Sequence, residues 1–313
     1  MDGQQQKSAF ESAVPLRRDR PLIAIAFKIF SVMSLVIMSS FIKLAGTVAL
    51  GQVVFFRSFF AFVLIVCYLA WRGQVAGSLY TRRPMGHLIR GIVGVLATFT
   101  AFYALMALPL PEAVTLGYAQ PLLIVIFSTL FLHQIVERYR WISIIVGFLG
   151  IVIISWPKLT MLSNGQALEM KQALGVAAAL ASAALTAVAL LLVRDLVRTE
   201  KSSSIIIWFS LMMTGLSMAT IPFGWTALTT QQFLLLIGCG LCGGIAQLCM
   251  TESYRYAEAA TVAPFEYTSM VFAIFFGYVL LSEVPTFHMI VGGLIIVSAG
   301  LYSALMDSKK LRK

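Results

Sequence analysis

Ten apolar runs, each about 20 residues long, follow one another along the chain. They lie at about 22–45, 50–71, 88–108, 111–133, 139–157, 172–194, 203–225, 231–253, 259–281 and 285–306. A run of about 20 apolar residues can cross the ~30 Å hydrocarbon core of a bilayer as one helix. The runs lack the alternation of polar and apolar residues that is typical of barrel strands. The sequence therefore predicts an all-α integral membrane protein with ten transmembrane helices.

The composition agrees with a surface that faces lipid. Charged residues make up only 12% of the chain, hydrophobic residues make up 59%, and the mean hydropathy is +0.90. A soluble protein needs roughly a quarter of its residues charged. The polar lead of some 20 residues before the first run is too long, and that run itself is too long, for a cleavable signal peptide. We therefore expect residues 1–21 to form a cytoplasmic tail.

The basic residues predict the orientation of the chain in the membrane. The net charge is +10, but 17 of the 23 Lys and Arg residues lie at the ends of runs on one predicted side, and only Lys43, Lys158 and Lys171 lie on the other. The positive-inside rule then places both termini in the cytoplasm. The expected location is the bacterial inner membrane, with 307–313 as a basic cytoplasmic tail. Because the charges follow the ends of the spans, the sequence gives no support for nucleic-acid binding.

The chain repeats itself at a distance of 146 residues. EAVTLGYAQPLLIV at 112–125 corresponds to EAATVAPFEYTSMV at 258–271, and this shift also aligns Glu137 with Glu283 and Gly147 with Gly293. The shift pairs the fourth and fifth spans with the ninth and tenth. We therefore predict two five-helix repeats, at 22–157 and 172–306, joined by an external linker at 158–171.

An odd number of spans in each repeat places the two repeats in opposite orientations. The charges agree, because the loop after Glu137 carries Arg138 and Arg140 whereas the loop around Glu283 has no Lys or Arg. Inverted repeats are the architecture of many transporters that work by alternating access, with the substrate near the bilayer midplane where the repeats meet.

Three segments carry a resemblance to a known family. They are ALPLPEAVTLGYAQPLLIVIFSTLFLHQIVERYRWISIIVGFLGIVIISWP at 107–157, YRYAEAATVAPFEYTSMVFAIFFGYVLLSEVPTFHMIVGGLIIVSAGLYSA in the second half, and GQVVFFRSFF at 51–60. The chain resembles the drug/metabolite transporter superfamily, and within it the EamA-type transporters, over about 22–306. This resemblance implies two tandem five-span domains with both termini inside.

The resemblance specifies the fold well and the substrate poorly. Members of the family move amino acids, nucleobase-like compounds, sugars, vitamins and drugs in either direction. One EamA-like branch that resembles this chain imports riboflavin, and others resemble S-adenosylmethionine carriers or metabolite exporters. The expectation is therefore a secondary transporter of a small organic metabolite, with riboflavin-type uptake first. Export of amino acids, nucleobase-like metabolites or drugs is the alternative.

Polar residues inside the predicted spans are the candidates for the transport site, because a charged group in the membrane core costs roughly 2.5–3.5 kcal/mol. Glu266 lies about 12 Å into its span, and its repeat mate Gln120 lies equally deep from the other side. Both therefore flank the midplane. Glu266 is interpreted as a proton carrier or substrate ligand, with a structural carboxyl as the alternative.

Hydroxyls and prolines surround these two positions. Tyr267 and Thr268 follow Glu266 directly, and Pro264 and Pro121 are candidates for breaks in the helical hydrogen bonding. Broken helices that face a cavity are a recurrent feature of transporter sites. A simple packing kink is the alternative for each proline.

Three basic residues lie in or near the spans. Arg57, about 9 Å deep, is interpreted as binding an anionic or carbonyl group, as offsetting Glu266, or as snorkelling to the headgroups. Lys28 is a site candidate, but its direction along the helix favours snorkelling. Arg90 is interpreted as an interfacial anchor. Gln247 can face the same cavity as Glu266, and Tyr103, Tyr118 and Trp208 are candidates for stacking on a planar ligand.

The remaining patterns predict no enzyme and no metal site. Cys239 and Cys242 form a C-x-x-C, but no second ligand pair accompanies it, and the nearby G-x-x-x-G spacing of Gly240 and Gly244 is typical of close helix packing. No nucleophile–base pattern or phosphate loop appears between the spans. We expect no cofactor. A membrane enzyme or a passive channel remains the alternative from another class, and proton coupling and a homodimer stay open.

Overall fold

Helices occupy all ten of the predicted spans. The computed structural model describes residues 20–71, 73, 81–132, 138–161, 167–196, 199–200, 202–256 and 262–311. In the first half the helices are α1 (Pro21–Leu44), α2 (Leu50–Trp71), α3 (Pro84–Ala107), α4 (Leu110–Gly117), α5 (Ala119–Leu132) and α6 (Arg138–Met161). In the second half they are α7 (Ala167–Leu196), α8 (Ser202–Met218), α9 (Thr230–Tyr256), α10 (Thr268–Leu281) and α11 (Phe287–Leu311).

Length and composition make these helices suitable for a bilayer. Six helical segments of the described chain are long and apolar enough to cross a membrane, and four shorter apolar segments occupy the remaining spans. Many large apolar side chains point away from the protein; Val271, Phe275 and Tyr278 on α10 are each more than half exposed. Such a surface is stable in lipid and not in water. The prediction of an all-α membrane fold is confirmed.

The 146-residue repeat is visible in the positions of the helices. The shift carries the start of α1 at Pro21 onto the start of α7 at Ala167, and the start of α3 at Pro84 onto the start of α9 at Thr230. The most extensive helix contacts, α1 with α9 and α3 with α7, are equivalent pairs under this shift and join the two halves. Further contacts between the halves are made by α2 with α8 and by α6 with α11.

Two glycines allow α6 and α11 to cross at backbone distance. A Cβ atom placed on Gly150 would lie 2.7 Å from the carbonyl oxygen of Gly292, and one placed on Gly292 would lie 2.6 Å from that of Gly150. Neither position accepts a side chain without separating the helices. Close backbone contact of this kind replaces the hydrophobic effect as a source of helix association in lipid.

The glycines near the C-x-x-C motif also act in packing. Gly240 and Gly244 on α9 face α2, where added Cβ atoms would lie 2.8 Å from the carbonyl oxygen of Phe56 and 3.2 Å from the Cα atom of Ala61. Cys239, which directly precedes Gly240, is fully buried. The motif therefore lies at a tight helix interface.

Some boundaries differ from the sequence expectation. The seventh span was expected to reach 225, but α8 ends at Met218 and a single 3-10 turn at Ile221–Phe223 follows. Pro222 is the second residue of that turn, and Gly224 follows it with a left-handed φ of 97°. In the expected linker at 158–171, α6 continues to Met161 and α7 starts at Ala167. The tail at 1–19 lies outside the described residues.

Candidate substrate site

Both halves contain an interruption of regular α-helix at equivalent positions of a predicted span. α4 ends at Gly117, Tyr118 forms a turn, and α5 starts at Ala119. Pro121 has no N–H group, so it cannot donate to the carbonyl of Gly117 four residues earlier. In the second half a 3-10 segment at Ala263–Tyr267, which contains Pro264, precedes α10. The repeat shift aligns 117–121 with 263–267.

The two interruptions contact each other. The rings of Tyr118 and Tyr267 lie edge to face with centroids 5.1 Å apart. The Tyr118 hydroxyl lies 2.5 Å from Ser269 Oγ and donates a long hydrogen bond of 3.4 Å to the carbonyl of Tyr267. The two interruptions are thus joined directly through Tyr118, Tyr267 and Ser269.

Glu266 in the second interruption forms an ion pair with Lys28 on α1. Lys28 Nζ donates to Glu266 Oε2. The Lys28 side chain is only 1% exposed, whereas that of Glu266 is 44% exposed. Snorkelling of Lys28 to the headgroups, which its position favoured, is therefore wrong, because the ammonium is held inside the bundle by the carboxylate. The cation that pairs with Glu266 is Lys28, whereas Arg57 lines a separate cavity.

The other predicted site residues occupy varied positions. Thr268 donates its hydroxyl to the carbonyl of Phe265 at 2.7 Å, so this hydroxyl supports the helix interruption. Trp208 contacts His87 with ring centroids 6.0 Å apart. Gln120 on α5 and Tyr103 on α3 are partly buried, and within the described chain neither is bonded to the Lys28–Glu266 pair.

A separate cavity brings Arg57 and Gln247 together. It has a volume of about 210 Å³ and lies between α2, α3, α7, α8 and α9. Arg90 also lines it, with its guanidinium 4.1 Å from the ring centroid of Phe209 on α8. The prediction of an interfacial anchor at Arg90 is therefore wrong. Its side chain points into the bundle, where the guanidinium lies over the ring of Phe209 and lines the cavity.

A second charged link joins the halves at the end of the bundle opposite the termini, here called the far end. Lys43 Nζ lies 2.7 Å from Glu283 Oε1 and also donates to the carbonyl of Leu108. The other oxygen of Glu283 accepts a hydrogen bond of 2.6 Å from the backbone N–H of Leu110 at the start of α4. Glu283 thus connects the loop before α11 to the first half.

Glu200 makes a corresponding link at the end that carries the termini, here called the tail end. Its Oε1 accepts hydrogen bonds from Thr81 Oγ1 and from the backbone N–H groups of Arg82 and Arg83, at 2.7–3.0 Å. Burial acts to raise the pKa of this carboxyl, but the hydrogen bonds outweigh burial and the pKa lies below its ordinary value. The loop between α7 and α8 is thereby fixed to the start of α3.

The profile of one family matches both halves of the chain. The EamA-like transporter family is matched over residues 22–156 and again over 173–304. The chain belongs to this family. Membership agrees with the two-repeat helical fold and with a membrane transporter of small metabolites.

Several transporters are similar to this EamA-like chain over most of its length. The pseudopaline exporter CntI of Pseudomonas aeruginosa (strain UCBPP-PA14) is 30% identical over 92% of this chain and 96% of its own length. The S-adenosylmethionine uptake transporter of Rickettsia bellii is 24% identical over 84% and 86%. A riboflavin transporter of Rhizobium johnstonii is 28% identical over 91% and 90%. The relatives thus include both importers and exporters.

A solved crystal structure shares the fold. It has a TM-score of 0.63 and 20% sequence identity, and the match covers 93% of this chain and 97% of that one. Within the EamA-like fold, the sequence did not single out Arg90, Lys43 and Glu283 as functional residues. The sequence marked Glu283 only as the repeat equivalent of Glu137. Its position just before the last span is a weak signal of its role.

Proposed function

We propose that this chain is a secondary transporter that carries a small organic metabolite across the bacterial inner membrane by alternating access. The repeats at 22–157 and 172–306 are its two moving halves. The observation that carries the proposal is the Lys28–Glu266 pair, which joins α1 of the first half to the interrupted helix of the second. Transporters with inverted repeats commonly place their substrate and ion sites at such interruptions.

The links at the two ends suggest how the halves move. Glu283 ties the halves at the far end, and Glu200 ties them at the tail end. Alternating access requires the end links to break one at a time, while the contact between Tyr118 and Tyr267 separates the two openings. Hydrogen bonds to charged groups contribute about 1.5–3 kcal/mol each. Such links are strong enough to bias the two states and weak enough to exchange.

The Lys28–Glu266 pair is the proposed coupling site. Its carboxylate is accessible, whereas its ammonium is buried. A proton or a polar group of the cargo that reaches Glu266 breaks the pair and leaves a buried cation. That cation is costly in an apolar interior, so the new arrangement favours movement of the halves. The proposal thus includes proton coupling through Glu266.

Riboflavin is the first cargo to test. The sequence resemblance leads to it, and two of the similar proteins are named riboflavin transporters. Export of an amino acid or another metabolite with acidic groups is the second candidate. The cavity lined by Arg57 and Arg90 favours the acidic cargo, and the direction stays a prediction.

Two measurements test the proposal. The first is uptake of radiolabelled riboflavin by a riboflavin-auxotrophic bacterium that expresses the chain, with the empty vector as background. The second is counterflow in proteoliposomes, in which preloaded unlabelled solute accelerates labelled uptake by a carrier but not by a pore. Riboflavin, amino acids, nucleobases and dicarboxylates are tested in parallel.

Glu266→Gln is the test variant, and Asp195→Asn is its matched control. Asp195 pairs with Arg83 on the surface, where its side chain is 52% exposed. Exposed ion pairs contribute little to stability, so we expect Asp195→Asn to leave transport unchanged. Saturable uptake with counterflow that is lost in Glu266→Gln and kept in Asp195→Asn supports the proposal. Uptake without counterflow indicates a channel and contradicts it. If another solute shows counterflow and riboflavin does not, the chain is still a carrier, and that solute replaces riboflavin as the proposed cargo.

A further inference from the structure

The cavity of about 210 Å³ beside α2 contains cationic side chains with buried nitrogens that lack hydrogen-bond partners among the described residues. Arg57 Nε, Arg90 Nε and Arg90 Nη1 are buried and have no hydrogen-bond acceptor among the described residues. Ser58 Oγ beside them is buried and unbonded in the same sense. Buried polar groups are nearly always satisfied in native proteins, so a cluster of unsatisfied ones requires an explanation.

The charge of this cluster is also uncompensated. Neither Arg57 nor Arg90 forms an ion pair with a carboxylate in the described part of the chain. Lys28 and Lys43, in contrast, both pair with glutamates. The face of Phe209 beneath Arg90 provides a cation–π contact but accepts no hydrogen bond in the plane of the guanidinium. The arginines therefore remain able to bind an acceptor that enters the cavity.

The repeat gives an independent reason to connect these arginines with a ligand. The 146-residue shift maps Arg57 onto Ser203 and Arg90 onto Leu236. The second half thus builds its equivalent helices, α8 and α9, without either cation. A basic residue that only one of two equivalent helices requires is not demanded by the helical fold.

The position of the cavity is suitable for a cargo. Its lining comes from both halves, with Arg57 on α2 and Arg90 on α3 from the first and Ser210 on α8 and Gln247 on α9 from the second. Sites between the halves are where inverted-repeat transporters bind their substrates. A volume of about 210 Å³ is below the roughly 300–1,000 Å³ of pockets that enclose a drug-sized ligand. In this conformation the cavity therefore fits one functional group or a small acid.

We infer that Arg57 and Arg90 form a subsite for a carboxylate of the transported metabolite. Guanidinium groups are planar donors that match carboxylates in a bidentate geometry. Ser58 and Gln247 add neutral polar groups at the same wall, and Phe209 fixes the orientation of Arg90. The subsite rests on the proposed transport function and favours its second cargo, a metabolite with acidic groups, over riboflavin, which carries no carboxylate.

Thermal unfolding of the full-length protein in detergent tests the subsite without any transport assay. The probes are succinate and glutarate, with succinamide and glutaramide as uncharged matches of similar shape. Inorganic phosphate and phosphatidylglycerol test for a phosphate or a lipid headgroup in place of the cargo. The expected result is a saturable rise in melting temperature with the diacids and none with the diamides.

The variants are Arg57→Gln and Arg90→Gln. The control is Arg20→Gln, because Arg20 is exposed and does not line the cavity. Each cavity variant is expected to weaken diacid binding about tenfold to 100-fold, as for one charged hydrogen-bonding partner. Arg57→Lys and Arg90→Lys keep the positive charge but lose the paired N–H donors of the guanidinium. We expect them to retain part of the diacid affinity.

Each other outcome overturns the subsite. Equal stabilisation by acids and amides, no stabilisation by either diacid, or unchanged binding in both cavity variants would each do so. Stabilisation by phosphatidylglycerol or phosphate, with none by the diacids, would mean that the arginines bind a phosphate group and not a carboxylate. The comparison of acid with amide uses the wild-type protein, so it stands even if a variant misfolds. The two proposals can fail separately. Counterflow of a neutral cargo would support the transporter even if the binding results contradict the carboxylate subsite.

Discussion

Lys28 and Glu266 form an ion pair between the two halves in which the partners differ strongly in accessibility. The lysine is 1% exposed and the glutamate 44%. The two residues are separated by 238 positions in the chain and meet where the ninth span is interrupted. The accessible partner can exchange its proton or its ligand, whereas the buried one can only respond to that exchange.

Removal of the carboxylate alone is expected to cost more stability than removal of the pair. Glu266→Gln leaves the Lys28 ammonium buried without an anion, and because Glu266 is partly solvated we expect a loss of about 1–3 kcal/mol. The double variant Lys28→Met with Glu266→Gln has no buried charge and recovers most of that loss. Thermal unfolding in detergent measures both. Equal stability of the single and double variants would contradict this account.

The Glu283 link is expected to hold the far end closed. Glu283→Ala removes the acceptor of both Lys43 and the Leu110 N–H group. Loss of about 1.5–3 kcal/mol shifts the ratio of closed to open states about tenfold to 100-fold. Spin labels at Thr47→Cys and Thr286→Cys, in a background in which the four native cysteines are replaced, report the change as longer distances. Asp195→Asn at the tail end serves as the control, and an unchanged distance distribution in Glu283→Ala would refute the link.

Glu200 is expected to make stability depend on acid pH. Its folded-state pKa is lowered from the ordinary 4.5, so it contributes stability above that value, and the contribution is lost as pH falls through the folded pKa. Glu200→Gln should therefore be less stable than wild type at pH 7, and the difference should shrink below about pH 4.5. Melting temperatures at a series of pH values measure this. A difference that is constant with pH would show that the lowered pKa has no effect on stability.

The crossing of α6 and α11 is expected to tolerate no added atom. Gly292→Ala would place Cβ 2.6 Å from the carbonyl oxygen of Gly150. Overpacking of this kind costs about 1–3 kcal/mol. Gly215→Ala is the matched control, because nothing lies within 4 Å of its added Cβ and alanine favours a helix. Loss of melting temperature in both variants alike would mean that the crossing is not tight.

The sequence predicted the helices well because lipid imposes a simple rule on them. A span must be apolar and about 20 residues long, and the repeat then predicts which spans are equivalent. The boundary of α8 was missed because Ile221, Pro222 and Phe223 continue the apolar pattern while Pro222 and Gly224 end the helix. Hydropathy reports burial in lipid and does not report backbone geometry.

The candidate site was predicted only in part because its contacts join residues far apart in the chain. Depth along a helix placed Glu266 near the midplane, but the partner of Glu266 depends on which face α1 turns towards it. The same limit applies to Arg90, whose position six residues from Pro84 is equally compatible with a headgroup and with a cavity. Only the packing of α3 against α8 distinguishes the two.

The Gly150–Gly292 contact has a mechanical consequence for the proposed rocking of the two halves. Where two backbones are in contact, the helices can rotate about the contact but can slide little past each other. The crossing of α6 and α11 is therefore a suitable pivot. Both glycines lie within helices of about 24 residues, each about 36 Å long. A lever arm of about 15 Å that turns by roughly 20° moves its tip by about 5 Å, which is close to one helical turn. A crossing that keeps its position while the helices turn therefore converts a small rotation into a movement of about one helical turn at the helix ends.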